Sequence, residues 1–446
     1  MIEIKQRYCN NNCILEKIFK LTEKGTDVKT EILAGATTFI ATAYILAVIP
    51  SMLCTTGMPQ TSTVAAVVLT TAFATIFMGM FANLPVVVAP GLGLSAFFAY
   101  TICGAMGLPW QTALGAVFIS GVVFIILTIT KVLQRIIDSI PDVLKTSIGV
   151  GIGLFIAFIG LKNSQIIVAN ESTFVGLGNI KAPGVILTFF GLIFTGGLFS
   201  RGVKGSLLIG MFTTTIVGMF IEITKIPHSI GDIFNLVPPI PVDTFGKLDI
   251  MGAVKYGLVS IVFSITIVDM FDNIGTLIGV SKKAGLVKED GSIEGLDKAL
   301  VTGSVAAATG ALLGTCTVTS YVESATGVAE GGRTGLTAVT TGILFIIALF
   351  FAPLFMLVPP QATAPVLIIV GVLMLGEVTS INFNDFTEAL PAFITILLMP
   401  LTFSIAQGLA MGFISYTLIK VLTGKQKEIK PIMYILTIAF VIHFII

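Results

Sequence analysis

Apolar runs of about 18 or more residues recur from residue 31 to residue 423, each long enough to cross a bilayer core as a helix. In hydrocarbon every backbone N–H and C=O must find its partner within the protein, so only helices and closed barrels span it. Runs this long cross as helices. The chain is therefore an all-α polytopic membrane protein. Its 446 residues are 55% hydrophobic and 11% charged, against roughly 25% charged in a soluble domain. Net charge is +1, and no basic face of the kind a nucleic-acid binder presents is visible.

Fourteen segments follow from the apolar pattern, at 31–53, 62–82, 86–103, 111–130, 142–161, 183–200, 203–224, 253–279, 296–314, 320–331, 335–356, 362–379, 386–404 and 406–423. Lys and Arg collect on the cytoplasmic side of membrane proteins. The N-terminal tail, 1–29, carries Lys5, Arg7, Lys17, Lys20, Lys24 and Lys29, which places it inside. Alternation then puts Lys131 and Arg135, Arg201 and Lys204, Lys282, Lys283 and Lys288, and Lys425, Lys427 and Lys430 inside as well. The outside loops near 54–61, 104–110 and 357–361 carry no Lys or Arg. The proline-rich loop 225–252 is outside and mixed in sign; the inside loop around Asp385 and Glu388 runs against the trend. The tail lacks the apolar stretch of a signal peptide, so the first segment is expected to insert uncleaved. The last apolar stretch, Ile432 to Ile446, reaches only about 22 Å as a helix. It is expected along the interface or against the bundle, with the C-terminus inside; a fifteenth crossing would put it outside.

Segments 3 and 10 break the pattern. Segment 3 begins Asn83-Leu-Pro85-Val-Val-Val-Ala-Pro90-Gly91-Leu-Gly93, where a continuous helix is disfavoured. The expectation is a short extended piece, then a half-helix from about Leu94. Segment 10 repeats the plan, extended over Thr315–Thr319 and helical from about Ser320. Broken helices at matching positions in two halves point to a transporter's binding site. With seven segments per half, an odd number, the two repeats must be inverted. The two extended pieces are expected to pair as short antiparallel strands, because irregular backbone at membrane depth has to be satisfied by protein. Each half-helix then presents free N–H groups and the positive end of its dipole. Pro-Gly kinks that only help helices pack are the plainer alternative.

Carboxyls inside a membrane protein usually face a cavity and mark function. Glu323 stands beside Ser324 in segment 10. In segment 8, Asp269 and Asp272 share a helix face, and Thr276 continues the stripe from Asp272. A carboxyl buried there can exchange its proton near neutral pH, which suits proton-coupled transport, and when ionised it accepts N–H bonds from a polar solute. Asp269 has a second reading, capping a helix end or bonding neighbouring backbone. Glu330 and Arg333 read as a salt bridge closing the turn at Gly331-Gly332. Phe97, Phe98 and Tyr100 offer rings to a flat solute, Phe97 with more weight because it follows the break. The five cysteines and two histidines suggest neither a disulfide framework nor a zinc site, and no phosphate loop with Gly-Lys-Ser/Thr accompanies Gly91-Leu-Gly93. No cofactor is expected.

The strings TTFIATAYILAVIPS (37–51), PGLGLSAFFAY (90–100), VDMFDNIGTLIGV (268–280) and SYVESATGVAEGGRTGL (320–336) resemble the nucleobase–cation symporter-2 family, in its hypoxanthine/adenine/guanine permease branch. The resemblance implies two inverted seven-span repeats. A core domain (30–130 and 253–356) would hold the solute, and a gate domain (131–224 and 357–423) would flank it, with the loop 225–252 outside and a C-terminal tail, 424–446. It implies proton-coupled uptake of purine bases across the cell membrane, with Na⁺ open as an alternative ion and a homodimer suggested by the wider family. By motif, Asp272 and Glu323 bind the base; Thr276, Tyr321 and Phe97 match further site positions, and Ser95 and Ser324 join the solute-binding set. Asp272, Glu323 and Asp269 are the proton-coupling candidates. Ser95, Ile49 and Ala41-Thr42 depart from the branch, which has Asn, Asn and Thr-Met there. A site built for one polar edge rejects analogues strongly, so the resemblance fixes the class of base and not its identity.

Two rivals remain. The same inverted-repeat fold could carry an anion such as sulfate or bicarbonate, but that calls for cations rather than Asp272 and Glu323 at the half-helix ends. An intramembrane enzyme would need a Ser/His set, paired metal ligands or a Gly-x-Ser-x-Gly elbow, none of which is present in the spans.

Overall fold

The computed structural model describes residues 14–255, 259–287 and 293–445. Lys5, Arg7, Cys9 and Cys13 of the tail, Lys288, the His443 side chain and positions 256–258 of segment 8 lie outside that description. Among the described residues, ten helices are long and apolar enough to cross a membrane. They correspond to segments 1, 2, 4, 5, 6, 8, 9, 11, 12 and 14. Segments 3, 7 and 13 contribute the shorter apolar helices Leu92–Ala105, Ser206–Phe220 and Phe386–Leu401, and segment 10 only the six-residue helix Ser324–Ala329.

The interruptions in segments 3 and 10 meet. Val88–Pro90 and Val318–Ser320 form a two-stranded antiparallel sheet, with Val88 opposite Ser320, Ala89 opposite Thr319 and Pro90 opposite Val318. Two further backbone bonds extend the ladder, Gly91 N–H to the Thr317 carbonyl at 3.1 Å and Tyr321 N–H to the Val87 carbonyl at 2.9 Å. The pairing satisfies backbone that is shielded from water on every side; both strands are fully buried. Boundaries differ from expectation by a few residues. Helix resumes at Leu92 in segment 3 and continues as a π-helix over Phe97–Ala105. In segment 10 the strand starts at Val318, and Tyr321–Glu323 form the turn before the helix, because the residues facing the other strand stay extended through Ser320.

Segment 1 is not one uniform helix. Val28–Thr42 and Ile45–Leu53 are joined by a tighter turn at Ala43 and Tyr44, both still in helical conformation. Segment 2 ends in a π-turn, Met78–Ala82, followed by Asn83 in the left-handed region at φ 55°. The Asn83 amide donates to the Phe19 carbonyl at 3.1 Å and accepts from Gly335 N–H at 2.8 Å. Segments 2 and 11 touch backbone to backbone there: a Cβ on Gly335 would lie 1.9 Å from the Gly79 carbonyl oxygen. Small residues allow such close approach in membranes.

The expected Glu330–Arg333 ion pair is not formed. Glu330 pairs with Lys204 at 2.6 Å, and the Arg333 guanidinium donates to the Val328 and Gly332 carbonyls at 2.6 and 2.8 Å. The short helix leaves its last carbonyls without intrahelical donors, and Arg333 reaches back to fill them. Its backbone N–H goes instead to Glu31. This fully buried acid also accepts from Thr334 N–H, Thr337 N–H and the Thr337 hydroxyl, at 2.8 to 3.3 Å for the amides and 2.6 Å for the hydroxyl. A carboxylate at the N-terminus of the segment 11 helix meets free N–H groups and the positive end of the dipole.

The helices sort by packing. Segment 11 packs on segments 1 and 2, and segment 4 on segments 8 and 9. Segments 5 and 12 pack on each other, 13 on 5, 6 on 12, 6 on 7 and 13 on 14. Elements not expected include a helix in the tail, Ile14–Phe19, a short helix at Val132–Ser139, a hairpin of Ile167–Asn170 and Phe174–Leu177, and a split of segment 11 near Leu349. The terminal helix, Pro431–Ile445, packs against the bundle. Thr437 bonds Thr417 of segment 14 at 2.7 Å, and the Phe440 ring meets Phe413 and Phe263 at 5.3 and 5.2 Å.

Candidate solute site at the crossing of the broken segments

The strand pair forms a floor on which segment 8 lies. Asp269 is buried against it and held from both sides. Thr317 donates its hydroxyl to Asp269 Oδ2 at 2.6 Å, and the Asn273 amide donates to Oδ1 at 2.9 Å. The Asn273 carbonyl oxygen then accepts from Ser320 N–H and Oγ–H, at 2.9 and 3.0 Å. This network locks one face of segment 8 to the strand. The partners of the Asp269 carboxyl are side chains, so the second reading of Asp269, a helix cap or a bond to neighbouring backbone, is not what forms.

One turn further round the helix, Asp272 is half-buried. It lies beside the Thr319 hydroxyl and within Coulombic reach of Glu323. A Cβ on Gly91 would sit 3.7 Å from Asp272 Oδ2 and 3.1 Å from Thr319; glycine keeps the strand end close to the acid. Glu323, also half-buried, stands at the start of the segment 10 half-helix. The Tyr44 hydroxyl donates to its Oε1 at 2.6 Å. Neither acid is fully buried as a residue.

The other predicted residues divide. Tyr321 is buried and its hydroxyl donates to the Pro90 carbonyl. Ser324 is buried, accepting from Val87 N–H at 2.9 Å and donating to the Tyr321 carbonyl at 2.6 Å. Ser95 is buried with its Oγ 2.7 Å from Cys316 Sγ. These three support the site from beneath. Phe97 and Thr276 are buried beside it, 3% and 7% exposed. Segment 8 leaves an open face: Gly275 and Gly279 are exposed and have nothing within 4 Å of where a Cβ would point. With Asp272 and Lys282 they form one helical stripe. Cavities of about 550 Å³, lined by Lys24, Lys282, Lys283 and Arg333, and about 610 Å³, lined by Gln60, His228, Pro239 and Met356, lie away from the acids. Among the described residues no group of three His, Cys, Asp or Glu is arranged to hold a metal ion.

Four participants were not singled out in the sequence: Tyr44, Asn273, Thr317 and Thr319. A tyrosine inside an otherwise apolar first segment was the available signal for Tyr44, since a buried phenol needs a hydrogen-bond partner. Asn273 follows Asp272 directly, and nothing local says which of the two amide-bearing and acidic neighbours turns inward.

A bundle of membrane-spanning helices, with two interrupted segments paired at its centre beneath two acids, defines a secondary-transporter architecture. Solved structures share the fold: the transmembrane domain of the cyanobacterial bicarbonate transporter BicA aligns with a TM-score of 0.60 at 15% identity, covering 86% of this chain and 97% of that one. Residues 29–411 match the model of the Permease family, and the chain belongs to that nucleobase–cation symporter-2 family of transporters. It is 42% identical to the adenine permease AdeP of Escherichia coli, over 97% of this chain and 96% of that one. It is also 42% identical to the guanine/hypoxanthine permease PbuO of Bacillus subtilis, over 96% of this chain and all of that one.

Proposed function

We propose that this protein imports purine nucleobases across the cell membrane, driven by protons, with Asp272 and Glu323 binding the base. The observation that carries the reading is the pair of half-buried carboxyls over the strand floor. Free carboxylate oxygens accept N–H groups, and purines present N–H groups on their edges; sulfate and bicarbonate would be repelled. The named activities of the 42%-identical relatives support the same class of solute. Either acid can carry the coupled proton. Phe97 supplies a ring beside the base.

Fourteen crossings in two inverted repeats account for the packing. Adding seven to each segment number turns the contact of 4 with 8 and 9 into that of 11 with 1 and 2, and the contact of 6 with 12 into that of 13 with 5. Segments 1–4 and 8–11 act as the core, and 5–7 and 12–14 as the gate. With both termini cytoplasmic, the open stripe from Asp272 to Lys282 leads inward. The outer side is closed where segment 3 meets the gate. There Asn163 donates to the Tyr100 hydroxyl at 2.7 Å, and Lys162 lies over the Tyr100 and Phe403 rings at 5.2 and 4.7 Å. These contacts support an inward-facing state, which rocking of core against gate would exchange for the outward one.

Uptake of labelled hypoxanthine, adenine, guanine and sulfate into cells expressing the protein, with and without a protonophore, tests the proposal. Accumulation of at least one purine, abolished by the protonophore, is expected. Sulfate uptake without purine uptake would establish the anion reading, which the BicA-like fold alone would accommodate.

A further inference from the structure

Glu323 meets a solute with one of its two oxygens already engaged. Tyr44 comes from the tight turn within segment 1, is fully buried, and donates to Glu323 Oε1 at 2.6 Å across 279 positions of sequence. The neighbouring phenol, Tyr321, is bonded to the Pro90 carbonyl, and the other acid, Asp272, faces Thr319. Tyr44 is thus the hydroxyl that sets how Glu323 is presented.

A carboxylate is a bidentate acceptor, and two adjacent donors on a ligand match its two oxygens. Guanine presents such an edge, ring N1–H beside the exocyclic 2-amino group. Hypoxanthine has N1–H beside a C–H, and adenine has no adjacent pair of this kind on its six-membered ring. An oxygen that already accepts a short bond from a phenol is a weaker acceptor for a second donor, so Oε2 is left as the strong one. We propose that Tyr44 is a specificity-determining residue: by holding Oε1 it makes Glu323 a one-donor site and disfavours the two-donor edge of guanine relative to hypoxanthine. The inference rests on the purine reading above and adds a selection rule to it.

The test is the Tyr44→Phe variant, which keeps the ring and removes the donor. Competition of unlabelled guanine and hypoxanthine against labelled hypoxanthine is measured on wild-type and variant protein, in uptake and on solubilised protein. A ratio of two competitors on one preparation does not depend on how much protein folds. The expected result is a shift in preference toward guanine of roughly three- to tenfold, the scale of one hydrogen bond. An unchanged ratio, or a shift toward hypoxanthine, overturns the inference while the wild-type competition still upholds purine binding. Loss of all purine binding by a folded variant also overturns it, because Tyr44 would then be a required contact and not a selector. Failure of both to compete on wild-type protein that still takes up adenine overturns the inference; failure of guanine, hypoxanthine and adenine alike sinks the purine reading itself.

Discussion

Glu323 and Asp272 are alike in chemistry and differ in what holds them. Glu323 is fixed by one phenol and Asp272 by its place over Gly91 and beside Thr319. Glu323→Gln replaces an acceptor by a group that is half donor, so a base bound by N–H groups loses a bond and meets a clash of like donors. Uptake should fall at least about a hundredfold, with membrane insertion unchanged on immunoblots of washed membranes; normal uptake would remove Glu323 from the site. Asp272→Asn should weaken binding or free uptake from its dependence on the proton gradient, read as uptake against external pH. Asn273→Ala addresses a different property. It strips Asp269 and Ser320 of their shared partner, so it should lower the thermal stability of solubilised protein. The acids themselves were legible in the sequence because charge at membrane depth is costly enough to stand out. Tyr44 was not, since one phenol among aromatic and aliphatic neighbours carries no local sign that a partner lies 279 positions away.

At the scale of elements, the prolines and glycines around Val86–Ala89 and the β-branched run before Ser320 announced the two strands, and the structure pairs them. The turn Tyr321–Glu323 was placed inside a helix because propensity alone does not count residues still held by the partner strand. Gly91→Val should disrupt this arrangement. Its side chain would meet Thr319 at 3.1 Å and crowd Asp272, so uptake should drop while the bundle still inserts. Glu31 does for segment 11 what the strands do for segments 3 and 10. Glu31→Ala leaves three amides and a hydroxyl without their acceptor, and should cost on the order of 3 kcal/mol of stability, seen as a lowered melting temperature. A Glu330–Arg333 pair was expected from spacing, but spacing along a chain does not reveal that Lys204, from another segment, stands closer to Glu330.

Across the whole molecule, the proposed division into core and gate makes the contact of segment 3 with the junction of segments 13 and 14 the place where the two must part. Thr101 donates its hydroxyl to the Phe403 carbonyl, and the Tyr100 and Phe403 rings meet edge to face. In a background with the native cysteines replaced, an oxidised Tyr100→Cys/Phe403→Cys pair should arrest uptake, and reduction should restore it; uptake unaffected by the cross-link would show that this contact need not open. The loops flanking segments 13 and 14 carry a clasp of their own. Lys425 bonds Asp385 at 2.8 Å and holds that carboxyl well below the usual aspartate range. A carboxyl lowered in this way contributes its stability above its unfolded value and loses it only as pH falls through the lowered one. The clasp should therefore persist through mild acid. Both Lys425 and Asp385 are at the surface, so Asp385→Asn should shift the melting temperature only slightly.

What the sequence determined was set by solvent. The energetic demand that buried backbone be paired and charge be kept from lipid is written locally, in apolar run lengths, in helix breakers and in the acids themselves. From these follow the helical membrane class, the two interrupted segments and the two carboxyls. What only the tertiary structure decided was which donors those carboxyls meet. Asp269 goes to Thr317 and Asn273, Glu323 to Tyr44, and Ser95, Tyr321 and Ser324 turn to the scaffold. Hydrogen-bond partnership depends on distance and direction between segments far apart in the chain, and no local pattern carries that information.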